Sequence, residues 1–366
     1  MTALAAPLRR GRFDSSAEPP LRLMLVDDSA VARAVLCRIL GGFPDFEVVA
    51  QAGDARSAID LLMGTSVDIV LLDVEMPGAS GLEALPDIVA AGRGARVLIV
   101  SSMAEDGAEV TVRALAAGAA DTLPKPGAAA FSGRFSDVLA DRLRRIGRAA
   151  RAPERATEIV SAGTKPLLRE MPPVPLACLA LGASTGGLPA LIDFLRALPA
   201  QVGAPILVTQ HLPEIFMPHF ARQLETACGR SAVVVEEGDA LSTETLHVAP
   251  GDAHLTLVRN GLDVTAKLDR RRVPSGCRPS VDPMLASVAA VYGDGGLGVV
   301  LSGMGRDGAL GARRLIEAGG AVLAQDRASS SVWGMPRAVA EAGLAAAIMP
   351  PADLAHRVAA RVASCR

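Results

Sequence analysis

The chain has 366 residues, of which 50% are hydrophobic and 21% charged, with a formal net charge of -2 at pH 7. This length favours two domains over one core, and the balanced charge provides no broad basic surface, so nucleic acid is not expected as a partner. No apolar stretch reaches membrane-spanning length, which argues against direct membrane insertion. Five widely spaced cysteines without a C-x-x-C pair predict reduced thiols in a cytoplasmic protein, not a disulfide frame or zinc site: Cys37, Cys178, Cys228, Cys277 and Cys365.

The first predicted domain covers residues 21–138. Residues 1–20 contain three arginines with no hydrophobic region after them, which predicts a disordered tail and not a signal peptide. Short apolar strands alternate with helix-like segments after this tail. The strands are predicted at Leu21–Val26, Glu47–Gln51, Ile69–Leu72, Val97–Val100 and Asp121–Leu123. Five such β-α units predict a doubly wound parallel sheet in an α/β fold.

Polar side chains stand where these strands end. Asp27 and Asp28 follow the first strand, Asp73 the third, Ser101 the fourth and Lys125 the fifth. In an open α/β sheet, ligands bind beyond the carboxyl ends of the strands, so these groups should converge. Three carboxylates repel one another unless a hard cation neutralises them, and Mg²⁺ suits such oxygen ligands together with a phosphoryl group.

This domain resembles the receiver domain of response regulators. The resemblance lies in the stretch Asp73-Val74-Glu75-Met76-Pro77-Gly78 and in the Lys125-Pro126 pair. It implies that Asp73 is phosphorylated by a histidine kinase, with Ser101 and Lys125 as switch residues. It also implies Mg²⁺ ligands at Asp28, Asp73 and the backbone carbonyl of Glu75, with Asp27 in the outer shell. Two features depart from the pattern. Position 122 is a threonine where receivers often carry an aromatic switch residue, and Ala79-Ser80-Gly81 replaces the commoner acidic-Gly ending of that loop.

A helix end and linker are predicted over residues 139–175, and a second domain over residues 176–366. Residues 139–151 are arginine-rich, and the following stretch mixes Pro, Ala, Glu, Thr and Ser without periodicity. The second domain again alternates strands with helices. Its predicted strands are Leu176–Leu181, Ile206–Thr209, Ala232–Val235, Leu297–Leu301 and Ala321–Ala324. Hairpin strands are predicted at Leu246–Ala249, Leu255–Arg259 and Asp263–Leu268, with Asn260-Gly261 as a turn.

Ser184 lies in Gly182-Ala183-Ser184-Thr185-Gly186, the G-x-S-x-G layout of a nucleophile elbow. A helix N-cap or a phosphate cradle would use the same residue types. His211 ends the next strand and is the natural general base, whereas the other four histidines lie in strands or helices and suit structural roles. Asp307 follows a third strand and is the preferred acid, although Asp282, expected to cap a helix, and Asp326 are rivals on chemistry alone.

The motifs of the second domain resemble those of the protein-glutamate methylesterases of bacterial chemotaxis, the CheB family. They are Gly182 to Gly187, Thr209-Gln210-His211, Ala249-Pro250-Gly251-Asp252, Arg278 to Asp282, Gly303 to Gly308 and Gly334-Met335-Pro336-Arg337. The resemblance implies a triad of Ser184, His211 and Asp307, with Thr185 and Met304 lining the site and one of their amides a candidate oxyanion donor.

The same resemblance implies the reaction and its partners. The substrates would be methyl-accepting chemoreceptors, whose glutamyl methyl esters are hydrolysed without a cofactor and whose glutamines can also be deamidated. Phosphorylation of Asp73 would relieve occlusion of the site by the receiver. Two alternatives belong to other classes: a phospho-switch whose second domain only binds a partner, and a DNA-acting regulator, which the lack of a basic recognition helix disfavours.

Overall fold

The computed structural model describes residues 19–76, 80–101, 105–125, 135–147 and 168–363. The predicted disordered tail falls almost entirely outside these ranges, and so does most of the predicted linker. The domain boundaries at residues 138 and 175 therefore stay predictions.

The first domain is a five-stranded parallel sheet. Its strands are β1 (Leu21–Val26), β2 (Phe46–Ala52), β3 (Ile69–Leu72), β4 (Arg96–Ser101) and β5 (Asp121–Pro124), in the order β2-β1-β3-β4-β5. This confirms the doubly wound arrangement predicted from the alternating pattern. The predicted strand ends agree within one residue because each run of apolar residues is bounded by polar or turn-forming residues.

Five helices flank this sheet: α1 (Ala30–Leu40), α2 (Ala55–Gly64), α3 (Gly81–Ala91), α4 (Glu105–Ala116) and α5 (residues 135–147). Short polar side chains fix their starts. Ser29 accepts from the Ala32 amide at 3.2 Å, and Ser80 forms a reciprocal capping box with Glu83. The helix α5 runs past residue 138, and four of its apolar residues are buried in the core of the first domain: Leu139, Ala140, Leu143 and Ile146.

The second domain is built on a seven-stranded parallel sheet. The strands are β6 (Cys178–Ala183), β7 (Ile206–Gln210), β8 (Ser231–Val234), β9 (Thr245–Val248), β12 (Gly296–Val300), β13 (Ala321–Gln325) and β14 (Ala347–Met349). Their order is β14-β13-β12-β6-β7-β9-β8. The chain winds away from β6 in both directions, which makes the crevice beside β6 the switch point of the sheet.

One predicted hairpin is confirmed and one predicted hairpin strand is wrong. β10 (His254–Asn260) and β11 (Asp263–Asp269) pair antiparallel, with Gly261 at φ +65° in the turn. The segment predicted as a hairpin strand at Leu246–Ala249 instead forms β9, which pairs in parallel with β7 and β8. Four alternating residues do not specify the partner, and here the position between two sheet strands decides the pairing.

Helices cover both faces of the second sheet: α6 (Gly187–Ala197), α7 (Met217–Cys228), α8 (Val281–Tyr292), α9 (Ala309–Glu317), α10 (Met335–Glu341) and α11 (Pro351–Ala363). The receiver helix α4 packs against α6, α7 and the short 3₁₀ turn Glu214–Phe216. Apolar residues of both domains therefore form one continuous core cluster, which includes Val112 and Leu115 from α4 and Leu188 and Phe216 from the second domain. Among the described helices, none combines the length and apolar character needed to cross a membrane.

Candidate active site

Three strand ends bring Ser184, His211 and Asp307 together. Ser184 directly follows β6, His211 directly follows β7, and Asp307 lies in the loop after β12. Because β6 is paired with β7 on one side and β12 on the other, the three loops share one edge of the sheet. Gly186 takes the left-handed conformation at φ +66° and starts α6, so it is this glycine, two residues beyond the serine, that makes the sharp turn.

The three side chains form a continuous hydrogen-bonded chain. His211 Nδ1 lies 3.0 Å from Ser184 Oγ, and His211 Nε2 lies 2.8 Å from Asp307 Oδ2. An ionised carboxylate only accepts, so Nε2 carries the proton and Nδ1 is left to accept from the serine hydroxyl. The ring is turned over relative to the usual serine-protease arrangement, in which Nε2 faces the serine. The chemistry is preserved because one nitrogen faces each partner.

Asp307 is held as a carboxylate by several donors. Ser280 Oγ donates to Oδ1 at 2.6 Å, and the Val281 amide donates to Oδ2 at 2.7 Å. Burial of this side chain would raise its pKa, but the hydrogen bonds and the charge of His211 outweigh burial and hold the pKa of Asp307 well below its usual range. The start of α8 thus presents its first amides to the triad aspartate.

The carboxylate in turn stabilises the charged form of His211. Burial by itself would lower the pKa of the imidazole, yet the hydrogen bond and negative charge of Asp307, together with interactions of the Cys277 side chain, raise the pKa of His211 to about 9. The site is therefore built to favour an imidazolium, the species that forms when a histidine takes the proton of a serine.

Backbone groups around the serine leave two amides available for an oxyanion. The Ser184 amide donates to Ser302 O at 3.0 Å, and the Ser184 carbonyl accepts from Gln210 Nε2 at 2.8 Å. Within the described parts of the chain, the amides of Thr185 and Met304 donate to no other group. Unpaired amides beside a nucleophile are suited to receive a developing negative charge.

The side chains of the rival acids bond to groups other than His211, although Asp282 is next to Asp307 and lines the same cavity. Asp282 Oδ1 accepts from the Gly311 amide at 2.8 Å, so this side chain links α8 to α9. It does not cap its own helix as expected, because Ser280 occupies the cap position and Asp282 points at the neighbouring helix start. Asp326 accepts from Ser329 in a local turn.

The other histidines are also engaged away from the triad. Two buried rings contact backbone carbonyls: His247 Nε2 lies 3.1 Å from Ser242 O, and His254 Nε2 lies 2.9 Å from Arg271 O. His219 and His356 lie on α7 and α11. These placements agree with the structural roles assigned from the sequence.

The receiver covers the residues that follow the nucleophile. Asp121 Oδ2 accepts from Thr185 Oγ1 at 3.3 Å, and the Ala120 carbonyl accepts from the Gly186 amide at 2.8 Å. A cavity of about 810 Å³ lies at this junction and is lined by both domains. With the receiver in place Ser184 is only 8% exposed. No strand or motif pattern in the sequence identified Asp121, because its partner is 64 residues away in another domain.

The predicted acidic cluster of the receiver also assembles. Ligand oxygens of Asp27, Asp28 and Asp73 lie within 4.8 Å of one another, and the first and third of these residues are buried. Lys125 Nζ lies 2.9 Å from Asp27 Oδ2 and also contacts Asp73. Burial raises the pKa of Asp73, and the Lys125 ammonium opposes that rise only in part. A divalent cation among these oxygens would supply the missing positive charge, so the donor set fits Mg²⁺.

The remaining predicted receiver residues are only partly described. The Glu75 amide donates to Asp73 Oδ1 at 3.1 Å, which places Glu75 beside the cluster. Ser101 is the last residue of β4, and its side chain lies outside the described part of the structure. Thr122 contributes to the cavity at the domain junction, and its carbonyl accepts from the Arg142 guanidinium.

Two family models match this chain. One, described as CheB methylesterase, matches residues 179–358, and the other, described as response regulator receiver domain, matches residues 23–130. Together they span the sheet domains that carry the triad and the acidic cluster.

Curated relatives match nearly the whole chain. It is 39% identical over 365 residues to protein-glutamate methylesterase/protein-glutamine glutaminase 1 of Paramagnetospirillum magneticum, covering 93% of this chain and 96% of the relative. It is 42% identical over 352 residues to protein-glutamate methylesterase/protein-glutamine glutaminase 2 of Caulobacter vibrioides, covering 94% and 99%. A third relative, from Azospirillum brasilense, is 37% identical over 354 residues, covering 90% of each chain. The chain belongs to the CheB family of receiver-linked methylesterases.

Proposed function

We propose that this chain is a phosphorylation-activated protein-glutamate methylesterase that hydrolyses glutamyl methyl esters on methyl-accepting chemoreceptors. The observation that carries the proposal is the hydrogen-bonded chain from Ser184 through His211 to Asp307, with contacts of 3.0 and 2.8 Å. Names of the relatives supply the substrate class, and the site supplies the chemistry.

The geometry supports an acyl-transfer reaction. Ser184 Oγ attacks the ester carbonyl carbon while His211 Nδ1 takes the hydroxyl proton. The resulting imidazolium keeps its Nε2 proton directed at Asp307 and then gives the Nδ1 proton to the leaving oxygen, so methanol departs. Water repeats the sequence on the acyl-enzyme and releases the glutamate carboxylate and the free serine.

Amides close to Ser184 are suited to hold the tetrahedral oxyanion. The unpaired N–H groups of Thr185 and Met304 are the proposed donors, and one such donor typically contributes about 2.7–4 kcal/mol to the transition state. A primary amide presents the same carbonyl and a small leaving group, so ammonia replaces methanol in the same steps. Glutamine deamidation is therefore the proposed second activity of this site.

Control is assigned to the receiver, with Asp73 as the phospho-acceptor and a histidine kinase as the phosphodonor. Asp28, Asp73 and the Glu75 carbonyl would hold Mg²⁺, with Asp27 in its outer shell. The ion would neutralise phosphoryl and carboxylate oxygens. Lys125 already bridges the buried carboxylates, and its ammonium is placed to contact a phosphoryl oxygen on Asp73. Ser101 is proposed as the hydroxyl switch.

The contacts at Thr185 and Gly186 support an occluded resting state. An α-helix with its side chains is about 10–12 Å across. To reach Ser184, a receptor helix of this width has to pass the receiver residues Asp121 and Ala120. These two residues hydrogen-bond to Thr185 and Gly186, directly after the serine. Release of the receiver from this surface is the proposed activating step.

Methanol release from methylated receptors tests the proposal. The Ser184→Ala variant should lose release almost completely, whereas Ser287→Ala, on α8 with its hydroxyl bonded to the Met284 carbonyl, should retain it. Asp73→Asn should keep the basal rate and lose stimulation by a small-molecule phosphodonor with Mg²⁺. Undiminished release by Ser184→Ala would favour the alternative of a non-catalytic phospho-switch, and stimulation of Asp73→Asn would refute the assigned phospho-acceptor.

A further inference from the structure

A thiol stands beside the catalytic histidine and takes no part in the proposed reaction. Cys277 lies in the loop between β11 and α8, is half-buried and lines the cavity at the domain junction. Its sulfur, one imidazole nitrogen of His211 and one carboxylate oxygen of Asp307 all lie within 4.8 Å of one another. The spacing of the cysteines predicts no zinc site, and it does not reveal this cluster because the three residues come from distant segments.

We propose that Cys277, His211 and Asp307 form an inhibitory binding site for a borderline divalent cation, with Zn²⁺ as its best fit. Thiolate, imidazole and carboxylate are the three side-chain ligands that zinc takes, at about 2.0–2.3 Å, and three protein ligands leave a fourth position for water. The acidic cluster of the receiver consists of carboxylates and suits the harder Mg²⁺. The two clusters should therefore select different metals.

The surroundings of the ligands favour coordination over a chance cluster. Asp307 is oriented by Ser280 Oγ and the Val281 amide, so its carboxylate is already fixed, and a metal ion on Oδ2 would replace the hydrogen bond from His211 Nε2. The Cys277 sulfur has a weak contact with the Ser275 carbonyl, at 3.8 Å, and its side chain also interacts with the His211 ring, so no strong bond holds the thiol away from the other two ligands. A shift of about an ångström in a loop side chain is enough to bring the three ligand atoms to the spacing of a tetrahedral site.

Binding there would stop catalysis. Coordination breaks the S–H bond of Cys277, releases the proton to solvent and forms a zinc–sulfur bond, with no change of oxidation state. Whichever imidazole nitrogen binds the metal, the triad loses one contact: Nδ1 is needed for the Ser184 proton and Nε2 for Asp307. Zinc would thus act as an inhibitor of the proposed esterase, and this consequence rests on the proposed function.

The full-length protein tests the site in saturating Mg²⁺, which keeps the receiver cluster occupied. Methanol release is measured against Zn²⁺ concentration for wild type, Cys277→Ser and Cys277→Ala, each relative to its own zinc-free rate. Cys228→Ser is the matched control, because Cys228 is also half-buried but bonds to the Leu224 carbonyl on α7. We expect the zinc concentration for half-inhibition to rise at least about tenfold in both Cys277 variants and to stay unchanged in the control.

Two further measurements do not depend on esterase activity. Calorimetric titration with Zn²⁺ should show one site that weakens at least about tenfold in both Cys277 variants, and zinc should slow alkylation of Cys277 as mapped by mass spectrometry. Equal zinc affinity in wild type and Cys277→Ser, or alkylation unaffected by zinc, would overturn the metal site. Zinc binding without any methanol release would leave the metal site standing and count against the proposed function.

Discussion

Replacement of Asp307 by Asn separates the charge of the triad acid from its shape. Oδ2 of Asp307 accepts from both His211 Nε2 and the Val281 amide, at 2.8 and 2.7 Å, whereas Oδ1 accepts from the Ser280 hydroxyl, which can rotate, and only at 3.4 Å from the Asp282 amide. An asparagine should therefore keep its oxygen on the His211 side and place its NH₂ towards Ser280. His211 then retains the productive tautomer but loses the negative charge that stabilises its imidazolium.

The size of the loss follows from the pKa of His211. The difference between about 9 and the ordinary 6.5 corresponds to about 3 kcal/mol of net imidazolium stabilisation, in which Asp307 is the largest favourable influence and Cys277 the second. Because that imidazolium forms in the transition state, losing its stabilisation should lower kcat/KM by at least about 10²-fold. If the tautomer of His211 is also disturbed, the loss should reach about 10⁴-fold. Within the wild type, only the neutral imidazole can accept the proton. The kcat/KM of the wild-type enzyme should therefore rise with pH and level off above about pH 9.

The pH profile of kcat/KM for methanol release is the deciding assay. In Asp307→Asn, burial becomes the main influence on the imidazole and lowers its pKa, so the rising limb should move to lower pH. Asp326→Asn is the matched control, because Asp326 only bonds within a local turn, and its profile should match wild type. A limb that stays near pH 9 in Asp307→Asn, or a loss smaller than about tenfold, would refute the assignment of Asp307 as the partner of His211.

Three further variants test individual contacts. Asp121→Ala removes the acceptor of Thr185 Oγ1, a hydrogen bond of about 0.5–1.5 kcal/mol, so unphosphorylated methanol release should rise about 2- to 10-fold; an unchanged basal rate would argue against this contact as a restraint. Gly81→Ala places a Cβ 2.2 Å from the Asp73 carbonyl oxygen and should destabilise the receiver by about 1–3 kcal/mol, seen as a lower Tm than in Gly64→Ala, where an added Cβ meets no atom within 4 Å. Ser280→Ala removes a charge-assisted bond to the triad aspartate and should lower kcat about 10- to 100-fold, with wild-type activity as the contrary result.

The sequence predicts the scaffold, and it names the candidate site residues that the structure brings together, for a physical reason. Parallel strands buried on both faces are nearly continuous apolar runs, so their carboxyl ends are visible as the first polar residue after each run. Ser184, His211 and Asp73 are all found in this way. The parallel sheet then brings those ends to one edge, so that knowing the strand order is nearly equivalent to knowing which side chains meet.

Contacts between loops and between domains cannot be read in this way. The pairing of β9, the position of Cys277 beside His211 and the bond from Asp121 to Thr185 all depend on how segments fold back on one another. The sequence also contains no pattern that specifies which imidazole nitrogen of His211 faces the serine. These features are set by tertiary packing, which a single sequence does not encode in local spacing.

The strand β5 connects the acidic cluster of the first domain to the residue next to Ser184. At its carboxyl end Lys125 bridges Asp27 and Asp73, and at its amino end Asp121 bonds to Thr185, next to the nucleophile. Four residues separate the two contacts, about 13 Å of extended chain. β5 is paired with β4 along its length, so under the proposed function a shift of Lys125 towards a phosphoryl group on Asp73 would act on the same short strand that carries Asp121. Such a route would need no aromatic residue at position 122, because the strand itself would join the two sites.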